Sequence, residues 1–217
     1  MDAESIRSKV MQSLRSTGPN AFEATFDGAR LIFPANSWEN ARLAGVAFRD
    51  ALSRMNLHTW LVIAELVRTL GLSQVHFTSL YRATGTGPHT KGRGIDFGYL
   101  QRVGDPALTL LRRDDTGAPT TEPELARAAR VALAAMPWTT QVLTPWWMHT
   151  GYTPDGPNLA ADDLSIEHRT HMHVTTVDGA PSAKPMAPRR RSYFLPVVVS
   201  CAAAIAIGAY VVRRRRA

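Results

Sequence analysis

Two stretches decide how this chain reads: His89-Thr-Lys-Gly92-Arg-Gly94-Ile-Asp96 and, far downstream, His168-Arg-Thr-His171-Met-His173-Val174. In the first, a histidine and an aspartate stand seven positions apart across a turn that leads into a strand. In the second, strand geometry puts residues i and i+2 on the same side, so His171 and His173 point into one site while Met172 packs behind them. Two imidazoles and a carboxylate make a common three-ligand set for catalytic zinc, with a fourth position left for water. One histidine then remains to act on that water. The only cysteine is Cys201, so no intrachain disulfide exists and any staple must be a metal.

Working outward, residues 4–16 read as a short amphipathic helix. Ser37 is an N-cap for a helix through Met55, with Glu39 in its favourable first turn. A second helix, Leu57 to Leu70, repeats apolar residues at Leu57, Trp60, Leu61, Ala64 and Val67 and stops at Gly71; the two helices are expected to form a hairpin. The period then changes to two, with Val75, Phe77 and Ser79 alternating against His76, Thr78 and Leu80 in a strand ending at Tyr81 and Arg82. The glycine-rich loop ATGTGPHTKGRG leads into a strand, GIDFGYL. Glu122 to Ala135 reads as an alanine-rich helix, and Gln141 to Thr144 and Met172 to Val177 as short strands. The fold class expected is α+β, a small antiparallel sheet carrying a zinc site and packed by helices, over residues 1–178.

Charge divides the chain sharply. Eight of its 25 lysines and arginines, Lys184, Arg189 to Arg191 and Arg213 to Arg216, follow residue 178 with no acid among them, which leaves 17 basic against 18 acidic residues before it. A basic nucleic-acid face does not fit that distribution, because the excess flanks one apolar segment. Phe194 to Val212 is uncharged, and as a helix it would span about 28 Å against a bilayer core of about 30 Å. Tyr193 and Tyr210 suit its headgroup ends. Residues 193–212 therefore read as a C-terminal transmembrane helix, 179–192 as a proline-rich basic linker and 213–217 as a basic tail. The N-terminus begins acidic and lacks the apolar stretch of a secretory signal, so no export signal is expected. Ser200, Ala204 and Gly208 form a small-residue stripe that leaves a homodimer through the membrane helix open.

The strings SLYR (79–82), HTKGRGIDFG (89–98) and HMHV (171–174) resemble the LAS superfamily of zinc peptidases, and most of all its D-Ala-D-Ala metallopeptidase and L-alanyl-D-glutamate endolysin branch. The resemblance covers Val75 to Thr176. It implies that His89, Asp96 and His173 are ligands of Zn2+. It also implies that Arg82 stabilises the oxyanion or carboxylate of the substrate, a structural strand-end role being the duller reading. Many relatives have a glutamate as base where this chain has Thr170; His171 takes that role here, or Glu167 does. His168 reads as a neighbour of the site, and His58, His76 and His149 as having no metal role. Trp146 and Trp147 line a groove or belong to the core.

The implied substrate is a peptidoglycan stem or crosslink peptide, often with a D-amino acid at the cut, and the implied enzyme a carboxypeptidase, dipeptidase or endopeptidase. The alternative is a zinc-stabilised binding or assembly module on the same scaffold, without catalysis. A catalytic domain with no export signal and a C-terminal anchor suits a phage lysis enzyme or virion component held in a host or virion membrane, or else a bacterial wall-remodelling enzyme. The flanking charges are balanced and set no orientation.

Overall fold

A computed structural model describes residues 1–106, 108–111, 122–150, 159–160 and 170–178. The linker, the membrane span with its small-residue stripe, the basic tail, His168 and Glu167 lie outside the described residues. Among the described residues no helix is long and apolar enough to cross a membrane.

The chain opens with α1 (Ala3–Ser13), capped by Asp2, whose carboxylate accepts from the Ser5 amide at 2.9 Å. A meander follows: β1 (Arg15–Gly18), β2 (Ala21–Phe26) and β3 (Ala29–Phe33). Asp27 and Gly28, both at positive φ, form the two-residue loop between β2 and β3. Such loops follow the right-handed twist of the strands, and Asp-Gly is a preferred pair for them. This meander stands where the sequence reading placed no strands.

The single helix expected from Ser37 to Met55 is instead three pieces: a 3-10 turn (Ala35–Trp38), α2 (Glu39–Leu43) and α3 (Phe48–Ser53). Gly45, at φ +77, interrupts them, so the expected two-helix hairpin does not form. Ser37 is no N-cap; its hydroxyl donates to the Pro34 carbonyl within the 3-10 turn. Asn56 caps α4 (Leu57–Leu70) instead, and left-handed Gly71 ends it. Beyond it come β4 (Leu72–Ser79), a 3-10 turn (Pro88–Lys91), β5 (Gly94–Arg102) and β6 (Thr109–Leu110). The last elements are α5 (Glu124–Ala135), β7 (Thr139–Leu143), β8 (Trp147–Thr150), β9 (Leu159–Ala160) and β10 (Met172–Thr176).

The fold is α+β, with a mostly antiparallel sheet packed by helices. The sheet is larger than the small one expected: among the described residues ten strands run in the order β1-β2-β3-β4-β5-β10-β7-β8-β9, with β6 on β5, and β3 and β4 are parallel. Phe33, Phe77 and Phe97 line up across β3, β4 and β5, with ring centroids 4.9 and 5.5 Å apart, and Trp60, Ile63 and Leu66 of α4 join them in the core. The sheet thereby buries one side of β5 through Ile95 and Phe97. Asp96, between them, faces the other way.

Candidate metal centre

Register assembles the site. His173 on β10 lies opposite Asp96 on β5 and Leu143 on β7, and Asp96 lies opposite Ser79 on β4, so one row crosses four strands. The next row holds Gln141, Thr175 and Gly94. His89 reaches the first row from the 3-10 turn ahead of β5.

Two glycines let that turn approach. Gly92 has φ +67, and a Cβ there would stand 2.1 Å from the Arg54 carbonyl oxygen, so the backbone can pass the junction of α3 and α4 only without a side chain. The Gly92 carbonyl accepts from the Asn56 amide at 2.8 Å and from the Thr59 hydroxyl at 2.9 Å, which pins the turn to the start of α4. A Cβ on Gly94 would stand 2.8 Å from the His89 ring. The HTKGRG string is thus a packing requirement for placing an imidazole over the sheet.

The carboxylate of Asp96 divides its two oxygens between two sets of partners. Oδ1 lies 2.6 Å from His173 Nδ1 and 3.4 Å from His89 Nε2. Oδ2 lies 3.7 Å from His171 Nε2 and 3.8 Å from an Arg82 guanidinium nitrogen. Asp96, His89 and His173 are buried, and one ligand atom from each lies within 4.8 Å of the others. Burial, the largest influence on Asp96, pushes its pKa up, but hydrogen bonds from His173 and His89 outweigh it together with their charge and hold the group below the usual carboxylate range.

The donor chemistry fits a cation. His89 Nδ1 donates to the Leu80 carbonyl at 2.7 Å, which leaves Nε2 facing Asp96, to donate to the carboxylate when the ring is charged or to offer its lone pair to an ion when it is neutral. His173 presents Nδ1 to the same oxygen while its Nε2 meets the Thr175 hydroxyl at 2.8 Å. Acceptors that face one another in a buried place need positive charge between them, from protons or a metal ion. Outward hydrogen bonds of this kind are also what orient histidine ligands at metal sites. The buried His89–Asp96–His173 group can therefore hold a metal ion.

Above it opens a cleft of about 490 Å³, lined by Arg82, His171, Gln141, Leu143 and the Thr84–Thr90 loop as well as the three buried residues. His171 is partly buried, its Nδ1 3.3 Å from the Thr170 hydroxyl. Arg82 is half exposed and donates to the Ser79 hydroxyl at 3.2 Å. All five residues expected from the sequence thus meet at one cleft. Trp146 is buried in the core and is not among the cleft residues, whereas the side chains of Trp147 and His149 lie outside the described residues. His76 lies on β4 with its ring edge against Tyr99, and His58 sits in the first turn of α4; neither joins the buried group.

Sequence reasoning missed Thr175 and Gln141. Thr175 was within reach, since it follows His173 by two residues on the same strand and so shares its face. Gln141 was not, because its approach depends on the pairing of β7 with β10. Compared with protein-family models, with curated proteins and with solved structures, the chain matches none.

Proposed function

We propose that this chain is a zinc-dependent peptidase of the LAS type that hydrolyses peptide bonds in bacterial peptidoglycan. The observation that carries the reading is the division of Asp96: one oxygen faces the two inward ligand nitrogens, the other faces a histidine and an arginine that line an open cleft. His89 Nε2, His173 Nδ1 and Asp96 would hold the ion. When bound, zinc supplies Lewis acidity and lowers the pKa of water to about 7.

The chain's own residues do the remainder. His171 takes a proton from the attacking water at Nε2 and returns it to the leaving amine as the carbon–nitrogen bond breaks. Arg82 directs its guanidinium at the oxygen of the tetrahedral carbon, an electrostatic contribution of about 3 kcal/mol for a well-placed donor. Among the described residues that line the cleft, Asp96 is the one carboxylate. The uncharged stretch 193–212, bracketed by arginines, would hold the domain at a bilayer, in keeping with a phage lysis or virion role.

The test separates ligands from base. His89→Ala, Asp96→Ala and His173→Ala in the full chain should each remove about one bound zinc and all hydrolysis of muropeptides. His171→Ala should keep the zinc and lose hydrolysis by a factor on the order of 10² or more. Full zinc occupancy in all three ligand variants overturns the site. Wild-type protein that holds one zinc and cuts no muropeptide overturns the enzyme and leaves a zinc-stabilised binding module.

A further inference from the structure

Behind His173 the sheet builds a polar chain. Thr175 follows His173 by two residues on β10, so the two side chains share a face, and Gln141 is the direct partner of Thr175 on β7. The contacts follow that register: His173 Nε2 lies 2.8 Å from Thr175 Oγ1, and Thr175 Oγ1 donates to Gln141 Oε1 at 3.3 Å. With its proton directed to Gln141, the Thr175 hydroxyl offers a lone pair to His173.

We propose that Thr175 and Gln141 form an outer relay that accepts the proton of His173 Nε2, so that Nδ1 is the ring nitrogen available to an ion in place of its proton, and that the relay thereby sets the affinity of the His89–Asp96–His173 group for that ion. This rests on reading that group as a metal centre. Of the two histidines, only His173 is tunable by side-chain exchange, because the outer nitrogen of His89 is fixed by a backbone carbonyl, that of Leu80. Thr175 and Gln141 are therefore positioning residues: they act on the ion through His173. The geometry also distinguishes the two ends of the relay. Thr175 contacts the imidazole directly, whereas Gln141 only orients the hydroxyl, so loss of Thr175 must cost more.

The experiment is zinc affinity by chelator competition on the full chain in detergent, comparing wild type with Thr175→Val, Thr175→Ser and Gln141→Leu. Valine keeps the shape and the strand preference and removes the hydroxyl; serine keeps the hydroxyl. Thr175→Val should weaken zinc binding by roughly 10- to 100-fold, the range for lost outer partners of metal-bound histidine. Thr175→Ser should restore wild-type affinity, and Gln141→Leu should fall between them. Nitrogen-15 spectra of the zinc-loaded proteins should show the His173 Nε2–H signal shifted from its wild-type position in Thr175→Val, where its acceptor is lost, and unshifted in Thr175→Ser. Equal zinc affinity in wild type, Thr175→Val and Gln141→Leu overturns the relay and leaves the ligand group standing. Wild-type protein that binds no zinc overturns both. If Thr175→Val lowers the unfolding temperature of the zinc-free protein, Gln141→Leu alone decides, and wild-type affinity in it overturns the relay.

Discussion

Gly94 and His89 are sterically locked: the imidazole lies where a side chain at position 94 would begin, 2.8 Å from the ring carbon Cδ2. A contact that short forces a shift, and the ring carries on its other edge the bond to Leu80 that orients it. Gly94→Ala is expected to lower stability by about 1–3 kcal/mol, the usual cost of overpacking, and to weaken metal binding by moving His89 Nε2. Denaturant unfolding and zinc titration of this variant are the measurements. Unchanged zinc affinity would mean that the ring does not need its present place.

Gly92 has a different reason and so a different expected outcome. Its positive φ and the 2.1 Å approach to the Arg54 carbonyl both forbid a side chain, and that neighbour is backbone, which cannot swing aside. Gly92→Ala should therefore cost at least about 2 kcal/mol, strain at one such residue being worth about 1–3 kcal/mol before the clash is added. A variant as stable as wild type in urea unfolding would refute the packing account of this string.

How far the sequence reveals all this depends on distance along the chain. Asp96 beside Ile95 and Phe97, and His173 beside Met172 and Val174, announce their faces by alternation, and the strands that bear them lie within a residue or two of where period two places them. The meander from Arg15 to Phe33 was also signalled by Asp27-Gly28, but a two-residue loop is easily passed over beside stronger helix patterns. The break at Gly45 was legible too, since glycine in a helix interior costs about 1 kcal/mol relative to alanine. What local sequence cannot reveal is register: that Leu143, His173, Asp96 and Ser79 form one row, and that Gln141 meets Thr175, are long-range pairings with no local signature.

A bound ion should also act as a staple. Ligands for it come from the turn before β5, from β5 and from β10, which are up to 84 residues apart in the chain, as the numbers of His89 and His173 show. An ion that binds only the folded protein stabilises it by about 2.7 kcal/mol at a free concentration one hundred times its Kd. Zinc should accordingly raise the unfolding temperature of wild type, chelator should lower it again, and Asp96→Ala should respond to neither. A zinc-independent unfolding temperature in wild type would contradict the staple.

Glu23, on β2, is buried beneath two arginines, Arg30 half-exposed and Arg15 largely exposed. Arg30 donates to Oε2 at 2.7 Å and Arg15 to Oε1 through Nε at 2.7 Å, and the two, Arg30 foremost, hold the carboxyl below its ordinary range. A carboxylate with a lowered folded pKa contributes stability that is complete above its unfolded value of about 4.3 and is lost as pH falls through the folded value. Glu23→Gln should thus be less stable than wild type by about 1 kcal/mol at pH 7, in the range of partly exposed ion pairs. The gap should close as the pH is taken below 4. A difference that stays constant between pH 7 and pH 3 would place the cost in the amide rather than in the charge.

Asn40 controls the rim of the cleft from 44 positions away in the chain. Its carboxamide faces Thr84 at two points: the Thr84 amide donates to Oδ1 at 3.2 Å, and Nδ2 donates to the Thr84 hydroxyl at 3.0 Å. Asn40 sits on α2, and Thr84 begins the stretch through Pro88 that walls the cleft, with Gly85 at φ +112 turning the chain just after the clamp. The far end of that stretch is fixed independently, by the His89 ring on Leu80 and by the Arg82 amide on the His89 carbonyl. Removing the clamp should therefore loosen the wall without disturbing the ligands. Asn40→Ala should speed hydrogen exchange at the Thr84 amide by about fivefold, from the loss of roughly 1 kcal/mol of hydrogen bonding, and leave zinc affinity unchanged. Asn40→Asp should restore slow exchange, because the Thr84 hydroxyl can turn and donate to the carboxylate. If the cleft is the peptide site proposed above, the alanine variant should show a raised KM on a muropeptide with kcat little altered, since the reacting groups stay in place. A kcat that falls with KM unchanged would mean that the loop takes part in the chemistry itself and that Asn40 acts on His89.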